Sequence, residues 1–373
     1  MIYIGNVLII EQNTFQTIAT MTFSHRIPLE ELLQDDPEFK LLNNPNRLHT
    51  FTRIVVADND LKSASKWDSR YYAAAKVHMV ERLDPKFVVP EEYYPSEQEL
   101  EEHGVLFEAT RGEILEKAVP NPGIYALFFL DLRELLAFGS GNTVASDVSD
   151  VSVDTRGTND EDKAEKVAEK TLLGFLNLWN CQDICGPGRF DIDGTTMELD
   201  VRSQSFHGRL TIQGSLVNSL TDGYGAVTHC NRDGKKRVST TVAFGVEAKR
   251  HLHKKNDVAI TAQVAAEAIA IAQHNEKKKS HGTPEVFIFF IHHRRCYLVS
   301  AVFSSNYLKN LEGTGLAAED YMVLKKTKEF DLAKGEDRKK FAKCVTSLFR
   351  YLKSGHARMG VLDFETRDRS IVG

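Results

Sequence analysis

The stretch TDGYGAVTHCNRDGKKRVSTTVAFGVEAKR, Thr221 to Arg250, decides how this chain is read. Two β-type runs, DGYGAVTHC and RVSTTVAFGVEAK, flank NRDGKK, whose Asp-Gly pair is a strong turn signal, so the stretch predicts a hairpin. The second run does not stop apolar: TTVAFGV leads straight into Glu247, Ala248 and Lys249. With a side-chain period of two, Glu247 and Lys249 point to one face and Ala248 turns into the core. Pairing across the turn makes Asp222 a neighbour of Glu247. A strand that only filled a core would have no need of charges at its end.

Working outward, AITAQVAAEAIAIAQHNEKKK reads as a long alanine-rich helix ending in lysines, as the helix dipole prefers. EVFIFFIHHRRCYLVSAVF gives two strands, and EDRKKFAKCVTSLFRYLKSGHAR a closing basic amphipathic helix. Upstream, DKAEKVAEKTLLGFLNLW sets Ala164, Val167, Ala168, Leu172, Phe175, Leu176 and Trp179 on one stripe at helical spacing. GPGRFDIDGTTMELDVRS and GRLTIQGSLV read as strands divided by glycine turns. The order helix, strands, helix, strands, helix predicts an α/β domain over residues 163–358, a mixed β-sheet flanked by helices. Residues 141–162, rich in Ser, Asp, Gly and Thr, read as a linker or long loop. Residues 1–140 are expected to form a separate α+β N-terminal domain. It would hold the short β-runs VLIIEQ and FTRIVVAD, a helix-like SKWDSRYYAAAKVHMVERL, and a helix or strand pair in GIYALFFLDLRELLAFG. Residues 359–373 are a C-terminal tail.

At 373 residues, 42% hydrophobic and 27% charged, the balance is that of a globular protein. MIYIGNVLIIEQ lacks the basic start and cleavage site of a secretory signal. GIYALFFLDLRELLAFG carries Asp131, Arg133 and Glu134 and is too short to span a bilayer. The expectation is an intracellular protein, nuclear or cytoplasmic, with no membrane association. Five cysteines in a long chain do not make a disulfide framework. Cys181 and Cys185 with His229 and Cys230 could hold zinc, but zinc draws on tighter paired spacings, so buried thiols are expected. The net charge of −5 hides an asymmetry: residues 245–358 carry 21 Lys and Arg against 12 Asp and Glu, residues 1–244 carry 24 against 37. Such a division points the C-terminal half toward a polyanion.

Two carboxylates converging at a strand end make a hard, oxygen-rich site suited to Mg²⁺ or Mn²⁺. A cation there polarises a phosphate and lowers the pKa of bound water, and a lysine beside it stabilises developing charge. Basic groups lie downstream: Arg250, Lys254 and Lys255 in KRHLHKK, EKKK at 276–279, Arg294 and Arg295 in HHRR, and RKKFAK at 338–343. Each alone is an ordinary solvated face; together they would steer a phosphate backbone without reading its sequence. LEGTGLAAED lacks the Lys-Ser/Thr of a phosphate loop.

The pattern TDGYGAV…FGVEAKR resembles the core of the PD-(D/E)XK nuclease superfamily, the restriction-endonuclease-like fold. Asp222 matches the family's first acid, Glu247 its second and Lys249 its lysine. Gln263 stands where some branches carry a glutamine on the following helix. The family often adds a metal-binding glutamate on its first helix, for which Glu169 and Glu165 are candidates, Glu169 preferred because it lies nearer the apolar stripe. Thr221 replaces the proline that names the motif, and Glu198 and Asp200 in MELDVRS offer a competing acidic pair. The resemblance covers residues 160–305. It implies a restriction-endonuclease-like fold and a metal-dependent nuclease hydrolysing phosphodiester bonds in DNA or RNA. Asp222, Glu247 and Glu169 would hold Mg²⁺ or Mn²⁺, Lys249 would position the attacking water, and Gln263 would orient Lys249 or a phosphate oxygen. The N-terminal half would serve a homodimer or a protein partner. The alternative is a catalytically inactive nuclease-fold protein that binds nucleic acid or a protein partner.

Overall fold

A computed structural model describes residues 61–138, 157–192, 195–230, 236–249, 257–276 and 284–358, together with 2–4, 7–9, Phe51 and Ile54. The strands are β1 (Ile2–Ile4), β2 (Val7–Ile9), β3 (Val77–Leu83), β4 (Arg189–Ile192), β5 (Thr195–Arg202), β6 (Phe206–Ile212) and β7 (Ser215–Thr221). They continue with β8 (Gly223–Cys230), β9 (Lys236–Lys249), β10 (Val286–His292), β11 (Arg295–Phe303), β12 (Met322–Thr327) and β13 (Phe330–Asp331). The helices that frame them are α1 (Ser69–Ala74), α2 (Glu97–Glu101), α3 (Gly104–Glu108), α4 (Arg111–Glu116) and α5 (Ala126–Phe138). After these come α6 (Gly157–Asn180), α7 (Asp257–Glu276), α8 (Tyr307–Glu312) and α9 (Gly335–Lys353).

A nine-stranded mixed sheet runs in the order β3-β12-β11-β10-β9-β8-β5-β4, with β13 paired to β11. The expected hairpin is there: β8 and β9 pair antiparallel, with Gly223 opposite Val246 and Tyr224 opposite Gly245. Among the described residues two strand pairs are parallel, β9 with β10 through the α7 crossover and β3 with β12. Period-two alternation sorts β9 between two cores. Phe244, Val246 and Ala248 pack with α5, α6 and α9; a register shift against β8 between Phe244 and Val242 breaks the alternation, so Val242 packs on the other side, with α1, α7 and the β6–β7 hairpin. Glu247 therefore faces α7. The α6 stripe is as read, with Ala168, Leu172, Phe175, Leu176 and Trp179 buried and Ala164 half-buried, although the helix starts at Gly157, inside the expected linker.

Helix α7 shows no amphipathic stripe because residues 262–273 are buried on every side. Six alanines in that span keep it slim enough to lie between sheet and hairpin. Its far end is fastened by amides. The Thr211 N–H donates to Gln273 Oε1 (2.7 Å) and Gln273 Nε2 to the Thr211 carbonyl (2.9 Å). Asn275 does the same to Val242, at 3.1 and 2.9 Å.

Several expectations change. The described part of residues 1–140 beyond residue 60 is not a separate body. VHMVERL, read as helix, is β3 of the central sheet, and Leu100, Leu106, Ile114 and Leu132 share a core with α6 and α9. Within FTRIVVAD, read as strand, Phe51 and Ile54 are helical and buried. Of the two readings of GIYALFFLDLRELLAFG, helix or strand pair, residues 123–138 take the helical one, as a 3₁₀ turn and α5. Part of the charge asymmetry is internal: Glu97 pairs with Lys339 (2.8 Å) and Lys343 (2.6 Å), and Glu99 with Arg350 (2.5 Å). Arg338 is fully buried and donates to the carbonyls of Leu106 (2.7 Å), Leu332 (2.8 Å) and Ala109. The RKKFAK run thus binds its own chain. No helix among the described residues is long and apolar enough to cross a membrane.

Candidate functional site

Asp222 is the single residue between β7 and β8. Its N–H donates to the Val246 carbonyl at 3.0 Å, and its Oδ2 accepts the Ala248 N–H at 2.7 Å. Two bonds to alternate residues of β9 hold this carboxylate beside Glu247. Thr221 is buried and donates its Oγ1–H to the Gly223 carbonyl at 3.0 Å, closing the bend. Gly223 must be a glycine for space: a Cβ would stand 2.7 Å from Leu173 Cδ2 and 2.9 Å from the Arg202 carbonyl. Its bare backbone lets α6 approach the start of β8, carrying Glu165 and Glu169 toward Asp222.

Glu247 is 1% exposed. Its Oε1 accepts from Lys249 Nζ, which confirms that the two share a face, and from Gln263 Nε2 at 2.6 Å. Its Oε2 is buried with no hydrogen-bond partner among the described residues. The same Gln263 nitrogen donates to Glu267 Oε1 at 2.8 Å. Glu267 is fully buried, and its Oε2 is likewise without a partner among the described residues. Gln263 therefore braces Glu247, where the sequence led us to expect it against Lys249 or a phosphate.

Too many carboxylates share this space for all to ionise freely. Burial, then the nearby Asp222, hold the Glu247 carboxyl above the usual range despite Lys249. Burial and Glu247 push Glu267 well above it. Burial raises Asp222 against the Ala248 N–H and Lys249, which lower it. Glu169, half-buried on α6, is pushed up to about 7 by burial first, then by Asp222 and Glu165. Glu165 also acts on the charges of Asp222 and Lys249, so both α6 candidates face the cluster. For Lys249, burial disfavours the charge, but Glu247, Glu267 and Glu165 outweigh it and keep the ammonium protonated.

The competing acids lie elsewhere. Asp200 accepts from Thr228 Oγ1 (2.8 Å) and Arg202 Nη2 (3.4 Å), and Glu198 pairs with Arg189 (3.9 Å). Arg294 and Arg295 sit at the β10–β11 turn, near Lys249 through the pairing of His292 with Lys249. They are ion-paired with Asp331 (2.9 Å) and Glu329 (3.4 Å) and not gathered around Glu247. Arg250, Lys254 and Lys255 lie outside the described residues. Cys185 and Cys344 are buried and pushed up to about 12 by burial, Cys296 is buried, and Cys181 is exposed. Among the described residues no three His, Cys, Asp or Glu side chains stand gathered as a metal cage.

Glu267 escaped the sequence reading. The signal was present: one acid inside AAEAIAIA, four residues after Gln263 and hence on the same helical face. No family model and no curated protein matches this chain.

Proposed function

We propose that this protein is a metal-dependent nuclease of restriction-endonuclease-like fold, hydrolysing phosphodiester bonds in DNA or RNA. The observation that carries this reading is Glu247. It is a fully buried carboxyl braced on one oxygen by Lys249 and Gln263, without a hydrogen-bond partner for the other among the described residues, and set beside Asp222. A buried acceptor without a partner is costly, and an oxygen-ligated cation satisfies it. The donor set fits Mg²⁺ or Mn²⁺: Asp222 and Glu247 would hold the ion, with Glu169 or Glu165 reaching in from α6. A cation bound there supplies Lewis-acid polarisation of a phosphate oxygen and a more acidic water. Asp222 is fixed for this task by the Ala248 N–H, and Glu247 by its two donors. Lys249 keeps its proton, so it serves as a fixed positive charge that orients water and offsets charge developing on the phosphate. Residues 250–255 follow directly from Lys249 in the sequence, so Arg250, Lys254 and Lys255, together with Arg294 and Arg295, are the phosphate-backbone contacts of this reading.

The test is incubation of the full chain with linear DNA, circular DNA and RNA, with and without Mn²⁺, beside Asp222→Ala and Lys249→Ala. Metal-dependent cleavage lost in both variants supports the nuclease. Metal-independent binding without cleavage would establish the inactive binding protein instead.

A further inference from the structure

The row of register partners that starts at Glu247 leads along the sheet to a second feature. Glu247 pairs with Phe290 and Phe290 with Tyr297, so Tyr297 lies two strands away, about 10 Å, on the same face. There a cleft of about 340 Å³ opens between the first turn of α7 and the β3–β12 edge, lined by Arg82, Ile260, Thr261, Tyr297, Lys326 and Lys328. The edge strand is bent to build it. Val80 pairs with Lys325 and Leu83 with Thr327, which leaves Glu81 and Arg82 opposite the single Lys326. Consecutive side chains of a regular strand part to opposite faces, whereas this bulge turns both into the cleft. It does so with Arg82 at a φ of 58°, a left-handed conformation that few residues with a Cβ adopt. The acids of the cleft are already engaged. Lys326 pairs with Glu81 (3.4 Å) and Glu329 (3.7 Å), and Glu329 also with Arg295 (3.4 Å). Arg82 and Lys328 are exposed and have no ion pair among the described residues.

We infer that this cleft holds a backbone phosphate of the nucleic-acid strand whose scissile bond lies at Glu247, with Arg82 and Lys328 as its contacts. A guanidinium offers paired N–H donors to two phosphate oxygens, and an ammonium adds a point charge. Lys326, held by its two glutamates with its ammonium 4.2 Å from the Tyr297 ring centre, forms the wall between them. At a rise of about 3.4 Å per nucleotide, the distance from Glu247 spans about three phosphates. The cleft thus fixes the path of the strand and carries no sequence information. Helix α7 serves both places, with Gln263 on Glu247 and Ile260, one turn earlier, in the cleft wall. That the phosphate belongs to a strand being cut rests on the nuclease reading; the anion site rests on the cleft alone.

The experiment measures binding of the full chain to fluorescein-labelled single-stranded DNA, single-stranded RNA and duplex DNA by anisotropy, in EDTA, across a salt series. The proteins are wild type, Arg82→Gln, Lys328→Gln, the double variant, and Lys309→Gln, whose exposed lysine lies on α8 outside the cleft. Each lost phosphate contact lowers the slope of log K against log salt by about 0.7 on a single strand and about 0.9 on a duplex. At about 0.1 M salt that is about a five- to eightfold loss of affinity. The double variant should bind the preferred polymer at least about 25-fold more weakly, and Lys309→Gln like wild type. Inorganic phosphate and a nucleoside monophosphate, titrated by calorimetry, are the free sources of the same chemistry. Wild-type affinity and slope in the double variant, an equal loss in Lys309→Gln, or no polymer bound by wild type would overturn the inference. A free phosphate or mononucleotide bound as tightly as the polymer, and lost in the double variant, would overturn it too, by assigning the cleft to a small ligand. Cleavage of the same polymers with Mn²⁺ is read in parallel. A wild type that binds without cutting, with binding lost in the double variant, would overturn the nuclease reading and leave the phosphate site standing.

Discussion

Replacing Glu267 with glutamine removes a carboxyl whose ionisation the fold opposes. Burial first, then Glu247, keep its proton on well above the ordinary carboxylate range. In the unfolded chain the same group ionises at about pH 4.3. Between those two values the folded protein binds more protons than the unfolded chain, so wild-type stability falls as pH rises. The loss from this group approaches about 1.4 kcal/mol per pH unit and is absent below the unfolded value. Glu267→Gln carries no such proton and escapes the loss. Its stability relative to wild type should therefore rise steadily with pH between about pH 5 and about pH 7.5, by at most about 1.4 kcal/mol per pH unit, measured by urea denaturation in metal-free buffer. A difference that stays constant with pH, or a variant less stable than wild type at the higher pH, would refute the reasoning.

Other parts of the structure give simpler expectations. Arg338→Met strands the carbonyls of Leu106, Ala109 and Leu332, and should cost about 3 kcal/mol or more; an unchanged urea midpoint would contradict it. Gly225→Ala drives a methyl into the Phe244 ring and should cost about 1–3 kcal/mol, visible as a lower Tm. Lys343→Ala removes one exposed partner of Glu97 and should cost less than about 1 kcal/mol, with the difference vanishing at high salt.

The hairpin and its charged end were legible because their signals are local. Alternation, an Asp-Gly turn and the spacing of Glu247 and Lys249 all act within one short stretch. The α6 stripe was legible for the same reason. VHMVERL misled because it follows an alanine run that reads as helix, and its strand state depends on β12, far along the chain. The acid-rich 97–102 and basic 338–350 segments looked like separate surfaces, whereas ion pairs between them are visible only once α2 packs on α9. Glu267 was hidden by its helix: with every face of α7 buried there is no polar face to depart from, so one acid among alanines reads as an exposed residue. The roles of Asp222, Glu247 and Lys249 remain expectations of chemistry, now with a geometry that supports them.

The central claim is that Asp222 and Glu247 together hold a divalent cation. Mn²⁺ titration of the full chain, followed by the loss of the free-ion paramagnetic resonance signal, tests it most directly. The prediction is saturable binding by wild type, abolished in both Asp222→Ala and Glu247→Ala and retained in Glu198→Gln, whose carboxylate pairs with Arg189 instead. Undiminished binding in the Asp222 and Glu247 variants, or none in wild type, would contradict it.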